Sequence, residues 1–180
     1  MDVTFASIED INFLMSLDYR CYQFPLPKKT YQKMIGKAFT LTANVDGRPV
    51  GFGVWSRGTL KTDAKLYRLG VLPGFINPAY MMPSDMLRVE AGFVKPPIYR
   101  RKGIARQMMT VIEADIKQRG KSNTLRTIVP EHKLLGEKDP DDISGFMTKT
   151  GWEPLEKWER GMFNEYGRAW DGIIFRKKVA

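Results

Sequence analysis

The chain has 180 residues, 43% apolar and 27% charged, with a net charge of +9; that is enough for one domain with a real core and too short for two comfortable ones. One cysteine and one histidine exclude a disulfide framework and the usual zinc ligand sets, so no metal site is expected, and the compartment is expected to be reducing and cytoplasmic. No apolar run approaches the roughly 20 residues a membrane helix needs, residues 1–4 lack the basic start of a signal peptide, and the positive balance favours anionic ligands: nucleotide cofactors, nucleic acid or acidic surfaces.

Val3-Thr4-Phe5 reads as a short first strand. Ser7 is expected to cap a helix carrying Ile8, Ile11, Leu14, Met15 and Tyr22 at helical spacing, with Cys21 a small core residue on it. Pro25 and Pro27 interrupt that pattern, and a second helical stretch follows over about 28–37. Residues 39–45 and 50–55 are strands joined by Asp46-Gly47, a strong hairpin signal. Residues 65–72 alternate as a further strand. The stretch 73–85 is rich in proline, glycine and methionine and reads as an excursion loop, so that about 59–85 is insertion-like. Its apolar part, 74–82, suits a substrate wall or a partner surface.

An apolar run over 86–94 predicts a strand that ends at Pro96-Pro97. The helix after Gly103 places Ile104, Met108, Val111, Ile112 and Ile116 on one face and stops at Gly120. Residues 125–129 form a buried-looking strand, 131–140 a polar loop, and Asp141 or Asp142 caps a short helix ending at Gly151-Trp152. Two strand-like pieces close the chain, about 153–162 and 172–179. Trp55 and Trp152 are expected in the core, while Trp158 and Trp170 lie in a more polar quarter. With no repeat and no linker, residues 1–180 are read as a single domain.

The most informative segment is Val94-Lys95-Pro96-Pro97-Ile98-Tyr99-Arg100-Arg101-Lys102-Gly103-Ile104-Ala105. Strand, basic turn and helix start meet there, and the first four N–H groups of a helix have no partner inside it. With the helix dipole and the adjoining cations, such a point binds phosphate. Glycine at 103 and alanine at 105 would let a large ligand approach the backbone. The segment resembles the acyl-CoA signature of the GCN5-related N-acetyltransferases (GNAT), Gln/Arg-x-x-Gly-x-Gly/Ala, here Arg100-x-x-Gly103-x-Ala105. Val71-Leu72-Pro73 resembles the start of that motif too, but no Arg-x-x-Gly-x-Gly/Ala follows it.

The order of elements, β-αα-βββ-α-β-α-ββ allowing for one extra strand, is similar to that family's over about residues 3–178. So is Phe146-Met147-Thr148-Lys149-Thr150-Gly151-Trp152 before the last strands, and Asn44 to Gly53 carries wording found often in it. The resemblance implies a mixed α/β fold with a central, mostly antiparallel sheet flanked by helices. It also implies direct transfer of acetyl from acetyl-CoA to a primary amine in a ternary complex. The acceptor would be a small molecule, a protein lysine or a protein N-terminus, and the enzyme a monomer or homodimer. Cofactor contacts would come from Phe93 and Val94 through their main chain, from Arg100 and Lys102 by charge, and from the backbone of Arg101, Lys102, Gly103, Ile104 and Ala105, with Arg106 adding charge.

For the general base, Glu90 lies inside the apolar strand leading to the motif, where desolvation would raise its pKa. Glu131 and His132, just after the next strand, are the rival pair. The family's general-acid tyrosine position is Met147 here, and a thioether donates no proton. Tyr80, Tyr99 and Tyr166 are substitutes by residue type alone. The alternative is a catalytically inactive module of the same fold that uses its charge to bind nucleic acid or an acidic protein.

Overall fold

The computed structural model describes residues 2–22, 26–35, 37–72, 99–131, 134, 143–165 and 168–179. Its elements are β1 (Val3–Ser7), α1 (Ile11–Cys21), α2 (Lys28–Ile35), β2 (Phe39–Val45), β3 (Arg48–Ser56), β4 (Ala64–Val71), α3 (Ile104–Arg119), β5 (Thr124–Pro130), α4 (Ile143–Lys149), β6 (Glu153–Glu165) and β7 (Arg168–Lys178). The strands form a seven-stranded sheet in the order β1-β2-β3-β4-β5-β7-β6. Most pairings are antiparallel; β4 and β5 run parallel, from Ala64↔Leu125 to Lys65↔Arg126. The expected mixed α/β architecture, a mostly antiparallel sheet with helices, is what the chain adopts.

The described residues of 1–54 and 68–110 gather into one compact unit, and those of 55–67 and 111–180 into a second. In the first, β1 pairs with β2 from Val3↔Val45 to Ser7↔Leu41. The hairpin from β2 to β3 turns at Asp46 (φ 51°) and Gly47 (φ 74°), the two successive left-handed residues a two-residue hairpin requires. Leu14 and Leu17 of α1, Tyr31 of α2 and Phe52 of β3 are fully buried. In the second unit, β5 pairs with β7 from Thr124↔Lys178 to Pro130↔Gly172. The later turns of α3 bury Ile112 and Ile116 there, in the same unit as the buried Leu125 and Ile174.

Several boundaries differ from the sequence reading. Asp10, not Ser7, caps α1: its carboxylate accepts the Asn12 N–H at 2.8 Å, whereas Ser7 is taken into β1 opposite Leu41. Both are good cap residues, and strand pairing decides between them. The second helix stops at Ile35 instead of 37. The last two strands run longer than expected, to Glu165 and from Arg168. Their pairing shifts register twice, between Pro154 and Trp158 and between Glu159 and Phe163; such irregularities break the alternation that marks a strand in sequence. The expected loop over 73–85, the strand over 86–94 and the caps Asp141 and Asp142 lie outside the described residues.

Candidate cofactor-binding site

α3 begins behind a turn whose backbone enters the left-handed region twice, at Arg101 (φ 62°) and Gly103 (φ 80°). For arginine that conformation costs about 1–2 kcal/mol, for glycine almost nothing. The Gly103 carbonyl accepts the first helical bond, from the Gln107 N–H at 3.0 Å. The N–H groups of Ile104, Ala105 and Arg106 have no partner among the described residues. A Cβ built on Gly103 would meet no atom within 4 Å. Glycine is therefore favoured by the backbone twist, and open space lies over it. Arg101, Lys102 and Arg106 are exposed while Ile104 is buried, so Ile104 can offer a ligand only its backbone.

These donors stand at the positive end of a helix dipole, with exposed cations on the same turn, and they suit a pyrophosphate. The donors and cations fit the phosphates of coenzyme A.

Arg100 does something the sequence did not predict. Its guanidinium donates from Nε to the Val71 carbonyl and from Nη2 to the Cys21 carbonyl, both at 2.9 Å. Burial lowers its pKa, against the raising influence of Cys21 and Tyr22. The side chain thus fastens the turn to the end of β4 and the end of α1, and these bonds, more than charge alone, define its part in the site. The Val71-Leu72 segment, discounted on sequence, ends against the turn. Leu72 donates to Val50 of β3 at 2.8 Å. Beside it, a Cβ on Gly70 would come within 2.7–2.9 Å of Phe52, Cys21 and Tyr22, so only glycine lets α1 approach this closely.

A second cluster, also missed on sequence, braces the same place. Asp18 is completely buried; its carboxylate accepts Arg68 Nε at 2.9 Å and the Leu26 N–H at 2.6 Å. The Arg68 guanidinium lies 3.9 Å from the centre of the Tyr22 ring, and the Tyr22 hydroxyl donates to the Leu69 carbonyl. Burial acts to lower the pKa of Arg68, but the neighbouring Tyr22 and Asp18 prevail and raise it. The signal was present: Asp18 falls four residues after Leu14 and three before Cys21, on the apolar face, where an acid is kept only if paired.

Among the base candidates, Glu131 is half-buried directly after β5, and its carbonyl accepts the Leu134 N–H at 2.9 Å. Glu90, Phe93, Val94 and His132 lie outside the described residues, as do Tyr80 and Tyr166. Tyr99 is half-buried next to the turn. Met147 is buried in α4, where it fills core. Trp55 and Trp152 are buried as expected, and Trp170 is half-buried beneath Arg168, 3.5 Å from its ring centre. Cys21 is buried, and desolvation pushes its thiol up to about 12, which leaves no thiolate for covalent chemistry near neutrality.

A family model described as the Acetyltransferase (GNAT) family matches residues 11–135. The chain belongs to the GNAT acetyltransferase family. The match takes in α1 through β5, including the turn at 100–106. Solved GNAT structures share the fold over nearly the full length. The ribosomal-protein-S18-alanine N-acetyltransferase of Escherichia coli superposes with a TM-score of 0.68 at 17% identity, covering 99% of this chain and 95% of that one. Arabidopsis thaliana NAA60 in complex with acetyl-CoA gives 0.66 at 13%, covering 99% of each. Arabidopsis thaliana Naa50, solved with the bisubstrate analogue CoA-Ac-MVNAL, gives 0.64 at 18%, again covering 99% of each. No curated protein matches the sequence.

Proposed function

We propose that this GNAT protein transfers acetyl from acetyl-CoA directly to a primary amine, and that its acceptor is a protein N-terminus. The observation that carries the reading is the turn from Arg100 to Arg106, with three N–H groups behind Gly103 that have no partner among the described residues, on the fold of a family that transfers acetyl groups. The backbone of residues 101–106 would hold the pyrophosphate, with Arg101, Lys102 and Arg106 adding charge and Arg100 fixing the turn. Bound acetyl-CoA supplies the activated thioester. The protein's part is to place the amine against it, which removes most of the entropic barrier, and to take up the amine's proton.

Glu131, Glu90 and His132 are the base candidates, and Glu131 is the one whose backbone the structure describes. With Met147 in the core and Cys21 protonated, transfer proceeds without an acyl-enzyme and without a tyrosine at position 147. The N-terminal acceptor is supported by the similar structures: one acts on the alanine of a ribosomal protein, and another is solved with a bisubstrate analogue carrying an acetylated peptide. A small-molecule amine is the competing acceptor. We further place the protein in the cytoplasm, as one functional domain.

Two measurements in series test this. Calorimetric titration with acetyl-CoA, using desulfo-CoA as a control for bulk anion attraction, should give saturable one-to-one binding that persists at moderate salt. Peptides with a free α-amine should then be acetylated, and the same peptides blocked at the N-terminus but retaining lysine should not. Heat that vanishes with salt would return the protein to the non-catalytic alternative.

A further inference from the structure

In the second unit the sheet carries a row of cations. The strand registers put Lys65 of β4 beside Arg126 of β5, and Arg126 beside Arg176 of β7. Neighbouring strands lie about 4.8 Å apart, so the row spans roughly 10 Å. Lys178 follows two residues after Arg176 on the same face, opposite Thr124. Lys65, Arg176 and Lys178 are exposed and Arg126 is half-buried. Buried Ala64 and Leu66 alternate with exposed Lys65 and Tyr67, so Tyr67, 38% exposed, stands on the same face next to Lys65.

Like charges set directly opposite across strands destabilise a sheet, and the described acids answer only one member of the row, Arg176. Asp63 is occupied by the Thr124 hydroxyl and by Arg176 at 3.2 Å. Glu153 stands opposite Arg176 at the row's far end. Lys65, Arg126 and Lys178 form no ion pair among the described residues.

We infer that this face binds single-stranded RNA. A protein partner would need an apolar centre to its interface, and the row offers one exposed aromatic ring amid cations. That combination, cations tracking phosphates and a ring offered to a base on a sheet face, is what single strands use. The face would hold RNA largely without regard to sequence, because phosphate contacts carry none. The inference does not rest on acetyl transfer, and coenzyme A would leave it unaffected.

The test is fluorescence anisotropy with a labelled 12-nucleotide RNA over a range of salt, with and without saturating coenzyme A. Wild type should bind with an affinity that falls with salt by about 0.7 of a log unit per log unit for each phosphate contact. Lys65→Glu/Lys178→Glu should lose at least tenfold in affinity and flatten the salt slope, with an unchanged thermal midpoint. Tyr67→Ala should lose about tenfold with the slope intact, and it keeps the test open should the double variant fail to fold. RNA affinity equal to wild type in folded variants would overturn the inference. So would displacement of RNA by coenzyme A, which would place it at the turn, and so would equally tight binding of a polyglutamate peptide, which would reduce the face to bulk charge.

Discussion

Asp18 and Arg68 are fifty residues apart in sequence and meet at 2.9 Å with the carboxylate side chain 1% exposed and the guanidinium 13%. The pair joins α1 to β4, and through the Leu26 N–H it also holds the start of the connection into α2. Taking one partner from a buried ion pair strands the other charge, which typically costs about 3–5 kcal/mol, while replacing both by apolar groups can be nearly neutral.

Arg68→Met alone should therefore lower unfolding stability by about 3–5 kcal/mol. Asp18→Leu/Arg68→Met should recover a large part of the loss. Urea unfolding of the two single variants and the double gives the coupling energy. A double variant as unstable as the sum of the singles would mean that the pair contributes nothing as a pair. Because the Leu26 N–H loses its acceptor in the double, recovery should be incomplete.

Arg100→Lys should weaken coenzyme A binding by about tenfold, roughly 1.4 kcal/mol. A lysine ammonium is a single point and does not reproduce the fork that reaches Val71 and Cys21 together. Calorimetric affinity and thermal midpoint should fall together, since the bonds that shape the turn also tie it to the core. An intact turn in Arg100→Lys, with affinity unchanged, would remove Arg100 from the site.

Gly103 separates conformation from ligand. Asparagine tolerates the left-handed region, and no neighbour stands within 4 Å of a Cβ there, so Gly103→Asn should fold with near-normal stability yet bind coenzyme A less tightly. Gly103→Glu should abolish binding by setting a negative charge where the proposed site would hold the phosphates. Unchanged affinity in a folded Gly103→Glu protein would falsify the placement of the cofactor on this turn.

Most of the fold was legible because it is written in short-range patterns. The Asp46-Gly47 turn, the i, i+4 stripe of Ile104, Met108, Ile112 and Ile116, and the helix stop at Gly120 each act within a few residues. The turn at 100–106 and the helix start behind it were legible for the same reason, since the N–H groups of a helix start and the basic cluster are contiguous. What escaped was long-range. Arg100 reads as one more basic residue of a charged cluster; only the approach of Val71 and Cys21 makes it an anchor. Ser7 and Asp10 are equivalent caps locally, and the pairing of Ser7 with Leu41 decides between them. The base candidates depend on which side chain meets the amine, a relation that no spacing encodes.

Cys21 should be inert in the native protein. Its thiol is held up to about 12 by desolvation, partly opposed by Arg100, and the thiolate is the reactive form. At pH 8 a thiol reagent should label it only as fast as the protein opens, with rates rising in step with urea. Because the folded pKa lies above the unfolded one, the thiol contributes stability that is complete below about pH 8.5 and is lost as pH rises toward 12. A Cys21→Ala variant should lack this alkaline decline. Rapid labelling at pH 8 without denaturant would contradict the burial.

Asp115 gives the opposite pH dependence. In α3 it accepts Arg57 Nε at 2.8 Å, Arg57 Nη2 at 2.7 Å and the Trp55 indole N–H at 2.9 Å. Desolvation acts to raise its pKa, but the hydrogen bonds from Arg57 and Trp55 outweigh it and the pKa is lowered. A depressed folded pKa means stability that is fully present above the unfolded value of about 3.9 and lost as pH falls through the folded value. Asp115→Asn keeps the shape but loses the charge, and should cost about 1–3 kcal/mol at pH 7. That difference from wild type should hold down to about pH 4.5 and shrink steadily below pH 4. Stability curves for the two proteins that stay parallel down to pH 2.5 would show that the carboxylate's charge is not what Arg57 and Trp55 are holding.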